Sequence, residues 1–289
     1  MNTKRLKANL LLLLTAAIWG TAFVAQKISV DHIGPFSYNG IRFILGAISL
    51  IPLICILKCK VSEDKKYMIT GGVITGVCLY VAASLQQVGI IYTDAGKAGF
   101  ITSLYMVIIP VIGIFINQKT NLYTWTGVFL AVFGLYLLCI EESFTLQYGD
   151  FLILICAFFW AVHVLLIDHY VKTIDSLILS FMQFTVCGVL CLITSFFAGE
   201  TINVQIVSDA LYPLLYGGIM SVGVAYTLQV VAQKNAKPSH AAIILSLESC
   251  FSAIGGAIIL GESMKVQGYI GCIIIFIAIL ISQLKNQKV

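Results

Sequence analysis

The sequence predicts an all-α integral membrane protein of ten transmembrane helices, arranged as two inverted five-helix repeats. Three observations lead there. Of 289 residues, 60% are hydrophobic and 10% charged, with a mean hydropathy of +0.99, which leaves too little polar surface to cover a soluble globule. Landmark residues recur at an offset of 141 to 144: Trp19 with Trp160, Arg42-Phe43 with Gln183-Phe184, Leu85-Gln86 with Leu228-Gln229, Leu104 with Leu247, and Gly127 with Gly271. Finally, Lys and Arg gather in alternate loops, the bias that marks the cytoplasmic side of a membrane.

A spanning helix needs roughly 20 mostly apolar residues. The first such run, 9–28, follows Lys4-Arg5-Leu6-Lys7 and so imitates a signal peptide. It is long and leads straight into further spans, so it reads as an uncleaved first helix. Four more runs, 37–57, 67–90, 96–116 and 123–140, complete a first repeat assigned to 1–141. The second repeat, 142–289, holds the runs 149–167, 177–198, 211–232, 239–260 and 266–284. The drift of three residues in the offset is what changes in loop length produce. With the N-terminus inside, the cytoplasmic set is Lys4, Arg5, Lys7, Lys58, Lys60, Lys65, Lys66, Lys119, Lys172, Lys234, Lys237, Lys285 and Lys288. Only Lys27, Lys97 and Lys265 fall outside, so both termini are expected in the cytoplasm. Five helices per half is an odd number, and the halves must therefore be oppositely oriented.

The net charge of +4 thus reports orientation in a bilayer and no nucleic-acid partner. The nine cysteines lie mostly within helices without a CxxC pair and read as small apolar packers. The chain lacks the HExxH pattern, a GKS/GKT phosphate loop and paired Asp-rich motifs. His163 and His169 flank Asp168 at no recognised metal spacing. No enzyme, metal or cofactor is expected, and any concentrating work must come from a proton or solute gradient.

Function then rests on polar groups that hydrocarbon would reject. Arg42 and Glu248 are the only charged residues placed well inside spans. Arg42, a few residues into the second helix, has two readings: a snorkelling or helix-tying side chain, or a cavity residue. Glu248 is too short to snorkel, so it is protonated, paired with a group such as Arg42, or set in a wet cavity where it could carry a coupling proton. Thr15, Trp19 and Gln26 share one face of the first helix, as Cys156, Trp160 and His163 share one face of the sixth. Mid-span Trp19 and Trp160 line a cavity or a packed interior, since tryptophan otherwise favours the interface. His163 is either a proton relay or a hydrogen-bonded neighbour. Tyr80 and Gln87 on the third helix, and Tyr226, Gln229 and Gln233 on the eighth, form polar stripes, and Ser103 and Ser246 lie on small-residue ridges that favour close helix packing.

The run Ala17-Ile18-Trp19-Gly20-Thr21-Ala22-Phe23, the triplet Ile41-Arg42-Phe43, and Ile244-Leu245-Ser246-Leu247-Glu248 followed by Leu260-Gly261-Glu262 resemble the EamA family of the drug/metabolite transporter superfamily. The resemblance spans essentially the whole chain. It implies ten helices in two inverted repeats, a bacterial inner membrane, alternating access around a central cavity, and amino acids, metabolites or drugs as substrates, often exported. Two positions depart from the pattern. Ser249 stands where proline usually follows the glutamate, so a kink at the centre of the ninth helix loses its usual cause, and Gln118 stands where the first repeat often has glutamate.

The expected function is a secondary transporter of small metabolites such as amino acids or related amphipathic solutes, with a midplane site lined by helices 1, 3, 4, 6, 8 and 9. Its substrate-binding candidates are Trp19, Arg42, Tyr80, Ser103, Trp160, His163, Tyr226, Ser246 and Glu248. Arg42 and Glu248 together would suit a zwitterion, and the aromatic residues would suit a ring or a cation. A flippase for a lipid or lipid-linked headgroup and a non-transport membrane sensor are the alternatives.

Overall fold

The computed structural model describes residues 3–59, 61–115, 121–139, 147–261 and 266–283. Gln118, Glu262, Lys60, Lys119, Lys265, Lys285, Lys288 and the expected repeat boundary at 141/142 lie outside the described residues. The first half contains α1 (Thr3–Ser29), α2 (Pro35–Leu57), α3 (Lys65–Gly89), α4 (Ala95–Ser103), α5 (Tyr105–Phe115) and α6 (Leu122–Cys139). The second contains α7 (Tyr148–Tyr170), α8 (Ser176–Phe197), α9 (Val204–Asp209), α10 (Leu211–Leu215), a π-helical stretch at Tyr216–Tyr226, α11 (Thr227–Gln233), α12 (Pro238–Leu245), α13 (Glu248–Gly255), a π turn at Gly256–Leu260 and α14 (Val266–Gln283). Among the described residues, eight helical spans are long and apolar enough to cross a membrane, of which Ala95–Phe115, Leu211–Gln233 and Pro238–Leu260 are each built from shorter pieces. Two shorter apolar helices, α6 and α14, complete the bundle.

Helix pairing follows the repeat. The α2–α8, α6–α14 and α4–α13 contacts each join equivalent elements of the two halves, while α3–α7 mirrors α1 against the π-helical stretch, and α1–α13 mirrors α4–α7. Glycine lets α6 and α14 approach closely: a Cβ on Gly134 would fall 2.7 Å from the Gly271 carbonyl, and one on Gly127 would fall 2.8 Å from Ser282 Cβ. The repeat pair Gly127 and Gly271 therefore lies on one interface.

The fourth and ninth spans both break at their centres, at repeat-related Leu104 and Leu247. Around Leu104 the backbone tightens to Leu104 N–H donating to Ile101 O at 3.2 Å, and Val107 N–H to Leu104 O at 2.9 Å. Pro110 further weakens that span by removing a donor. The ninth span breaks without a proline, against what Ser249 implied. The Ser246 hydroxyl donates to Ile243 O at 2.8 Å and that of Ser249 to Ser246 O at 2.7 Å. These side chains take up carbonyls that the helix ladder would use and bend the chain. Gly261, at φ +71, closes the span in the left-handed conformation.

One end of the bundle is tied by charge. Lys27 at the end of α1 donates to the carbonyls of Ile90 (3.0 Å) and Thr93 (2.8 Å), which close α3. Asp150 at the start of α7 pairs with Lys97 of α4 at 2.7 Å and accepts from Thr93 Oγ1 at 2.9 Å and Gln147 N at 2.8 Å. Glu200, beyond α8, accepts from the Ser37 N–H and hydroxyl, both at 2.7 Å, and so caps α2. The opposite end carries weaker ties, such as Tyr67 to His169 at 3.2 Å and the Lys172–Asp168 pair, whose lysine is exposed.

Removing a buried ion-pair partner leaves the other charge uncompensated. With the Lys97 side chain 24% exposed, Asp150→Asn is expected to cost about 2–3 kcal/mol, below the full cost for a wholly buried pair. Thermal unfolding in detergent would show this as a lowered midpoint, partly restored by adding Lys97→Met. An unchanged midpoint would mean the pair does not hold α4 to α7.

Candidate functional site

The two broken spans deliver the site. Because the ninth span breaks before it, Glu248 opens α13 in the middle of the bundle. Gly20 of α1 allows this approach: a Cβ there would lie 2.3 Å from Phe251 Cβ and 2.6 Å from Glu248 O. Gly99 of α4 does the same on the other flank, against Ser252. The Glu248 side chain is buried, its Oε1 makes no hydrogen bond, and the Tyr105 hydroxyl next to it is also unpartnered. Ser103, the other nearby hydroxyl, donates to Gly99 O at 2.9 Å.

Arg42 reaches the same space from α2. It is 2% exposed, its Nε donates to Asn39 Oδ1 at 2.9 Å, and its guanidinium carbon lies 4.9 Å from the Phe43 ring centroid and 5.2 Å from that of Tyr38. Ring faces offset part of the desolvation cost of a cation. Neither Arg42 nor Glu248 forms an ion pair among the described residues, so the expected option of pairing them is not realised.

Arg42 and Glu248 line one cavity inside the bundle, together with Trp19, Gln26, Gln86, Tyr105, Trp160 and Tyr226. The helices expected to line it do so, and α2 joins them through Arg42. Each repeat contributes a tryptophan that bonds into the other half: Trp19 Nε1 donates to Ser221 O at 3.3 Å, and Trp160 Nε1 to Gln86 Oε1 at 2.8 Å. Gln86 Nε2 in turn donates to Gln26 Oε1 at 3.0 Å, and Gln87 Nε2 to Gln26 O at 3.3 Å and Ser29 Oγ at 3.1 Å. This amide layer separates the cavity from a vestibule of about 290 Å³, next to Asp31, His32 and Gln87 at the charge-tied end. The cavity itself has only about 30 Å³ open to water, room for about one or two water molecules.

Trp19, Arg42, Trp160, Tyr226 and Glu248 thus converge. Other sequence candidates do not face the cavity. Tyr80 bonds Thr194 Oγ1 at 2.7 Å and ties α3 to α8. His163 stands behind the aromatic wall, its Nε2 2.8 Å from Gln183 Oε1 and its ring 5.7 Å from Trp160. Ser103 and Ser246 spend their hydroxyls on backbone carbonyls. The candidate set left out Gln26, Gln86, Gln229, Thr102, Tyr105 and Ser221, all lining residues. Gln86 and Gln229 carried a usable signal: a repeat pair of amides placed in hydrocarbon has to meet polar partners.

Two repeats that enclose a largely apolar cavity carrying a few polar and ionisable side chains have the architecture of a membrane transporter. Known proteins agree with that class and supply the family. The sequence profile of the EamA-like transporter family matches residues 6–140 and 147–284, and the chain belongs to that family, a family of transporters and not of enzymes. A protein of Archaeoglobus fulgidus described as an uncharacterized transporter is 32% identical over 98% of this chain and 87% of its own. The uncharacterized transporter YoaV of Bacillus subtilis is 22% identical over 89% of this chain and 90% of its own. A solved crystal structure aligns with a TM-score of 0.79 over 96% of both chains at 15% identity, a likeness of fold alone.

Gln86→Leu would leave the Trp160 indole N–H and Gln26 Oε1 without their partners. The expected cost is about 1–3 kcal/mol, read as a lower unfolding midpoint, with a shift in tryptophan emission. Native stability and emission in the variant would remove the amide layer from the account.

Proposed function

We propose that the chain is a secondary transporter that moves a small polar or amphipathic metabolite, amino acids being the first class to test, by alternating access at the midplane cavity. One observation carries this reading: Arg42 and Glu248 line a single cavity without pairing with each other. An intramembrane charge held this way needs a ligand or water to repay its desolvation. A zwitterion answers both groups, carboxylate on guanidinium and ammonium on carboxylate. The near-twofold pairing of the halves supports two packings of one plan, one opening to each side. Export from a bacterial cell across the inner membrane is the direction we assign.

Orientation follows from charge. With both termini cytoplasmic, Lys27 and Lys97 sit at the outer end against the general bias. Their bonds to the α3 carbonyls and to Asp150 account for their tolerance there. Alkaline phosphatase fused after His32 is expected to be active and a fusion after Lys66 inactive; the reverse pattern would invert the topology.

Glu248 is assigned the coupling proton, because it is a mid-span carboxyl that faces the cavity. In proteoliposomes given a radiolabelled amino-acid mixture, Glu248→Gln is expected to keep exchange and lose about tenfold or more of proton-driven net flux. Equal loss of both would sink the coupling role, and no movement of label by the native protein would sink the amino-acid assignment.

A further inference from the structure

The centre of the cavity holds a protein side chain where a ligand would be expected. Tyr226 projects from the C-terminal end of the π-helical stretch into a box made of two repeat pairs. Its ring centroid lies 4.4 Å from Trp19 and 5.9 Å from Trp160, and 6.0 Å from Phe43 and 5.9 Å from Phe184. These four rings form two repeat pairs, one member from each half, and His163 of the second half stands further off at 6.4 Å, whereas the occupant comes from one half alone. The repeat counterpart of Tyr226 is Ala83, a buried residue with no ring to offer. One phenol thus occupies the space between two repeat-related pairs of rings.

We propose that Tyr226 is a built-in occupant and the size-determining residue of the site, and that the box it vacates takes a planar aromatic group of the substrate. This rests on the transport reading above and narrows its substrate class. Ring centroids at these separations suit stacked and edge-on aromatic contacts. The competing ligand for such a cage is an organic cation. Arg42 decides between them, since its guanidinium already lies 4.9 Å from the Phe43 ring and would repel a second cation at that wall. A neutral ring fits; its polar substituents meet Arg42 and Glu248. The π-helical stretch supplies a way out for Tyr226. Loss of one π register step turns the following residue by about 100° around the helix axis, enough to swing the phenol off the box.

The chain has three tryptophans, and two of them are box walls. In a Trp125→Phe background, emission therefore reports Trp19 and Trp160 alone. Nicotinamide, a soluble non-fluorescent ring, is expected to quench this emission saturably in the purified protein. Cyclohexanecarboxamide, which is not planar, and tetramethylammonium should not. Tyr226→Ala is expected to tighten nicotinamide binding about tenfold, because the fraction of protein with the box open no longer limits affinity. Phe184→Leu also frees space but removes a wall, and should weaken binding. Tightening by both variants would mean mere cavity creation and overturn the inference, as would saturation by tetramethylammonium in place of nicotinamide. Should Tyr226→Ala fail to give a monodisperse helical protein, Tyr226→Val is read in the same way. Binding in detergent needs no gradient, so a protein that binds as described but moves no solute defeats the transport reading and leaves this one standing.

Discussion

Arg42 and Glu248 are buried inside the helical bundle without a counter-ion among the described residues, and the surrounding structure is arranged to tolerate them. Hydrocarbon offers no hydrogen bonds, so each charge must be met by protein or water. Arg42 is met by Asn39 and by two ring faces. Glu248 is met less completely, beside a tyrosine hydroxyl that is itself without a partner. The glycines at 20 and 99 that bring α13 close, and the serines that break the ninth span, exist in physical terms to place this carboxyl.

Repeat symmetry gives the walls, and two residues at the cavity depart from it. Trp19 and Trp160, and Phe43 and Phe184, are symmetric. Arg42 against Gln183, and Tyr226 against Ala83, are not. The two ends differ likewise: buried ionic ties and a glutamine layer close the vestibule end, while exposed polar contacts hold the other.

Helix number and repeat organisation were legible because the bilayer imposes them on composition and length. Trp19 and Trp160 were legible as cavity candidates because mid-span tryptophans at repeat-related positions have few other uses. Periodicity identifies a helix face but not the neighbour that face meets. Tyr80 thus shares a helix with Gln86 yet points at Thr194 of α8, and His163 shares a face with Trp160 yet sits one layer behind it. Tyr105 was missed because the break at Leu104 re-aims the residues after it. The break in the ninth span was missed because its cause is serine hydroxyls competing for carbonyls, which leaves no mark as plain as a proline.

The most direct test of a solute cavity built around these charges is ligand-dependent thermal unfolding of the purified protein, across amino acids, amines, sugars, nucleosides and lipid headgroups. The account requires a water-soluble solute that raises the unfolding midpoint of the native protein and loses that effect in Trp160→Ala. Stabilisation by lipid headgroups alone would contradict it and assign the cavity to a lipid substrate.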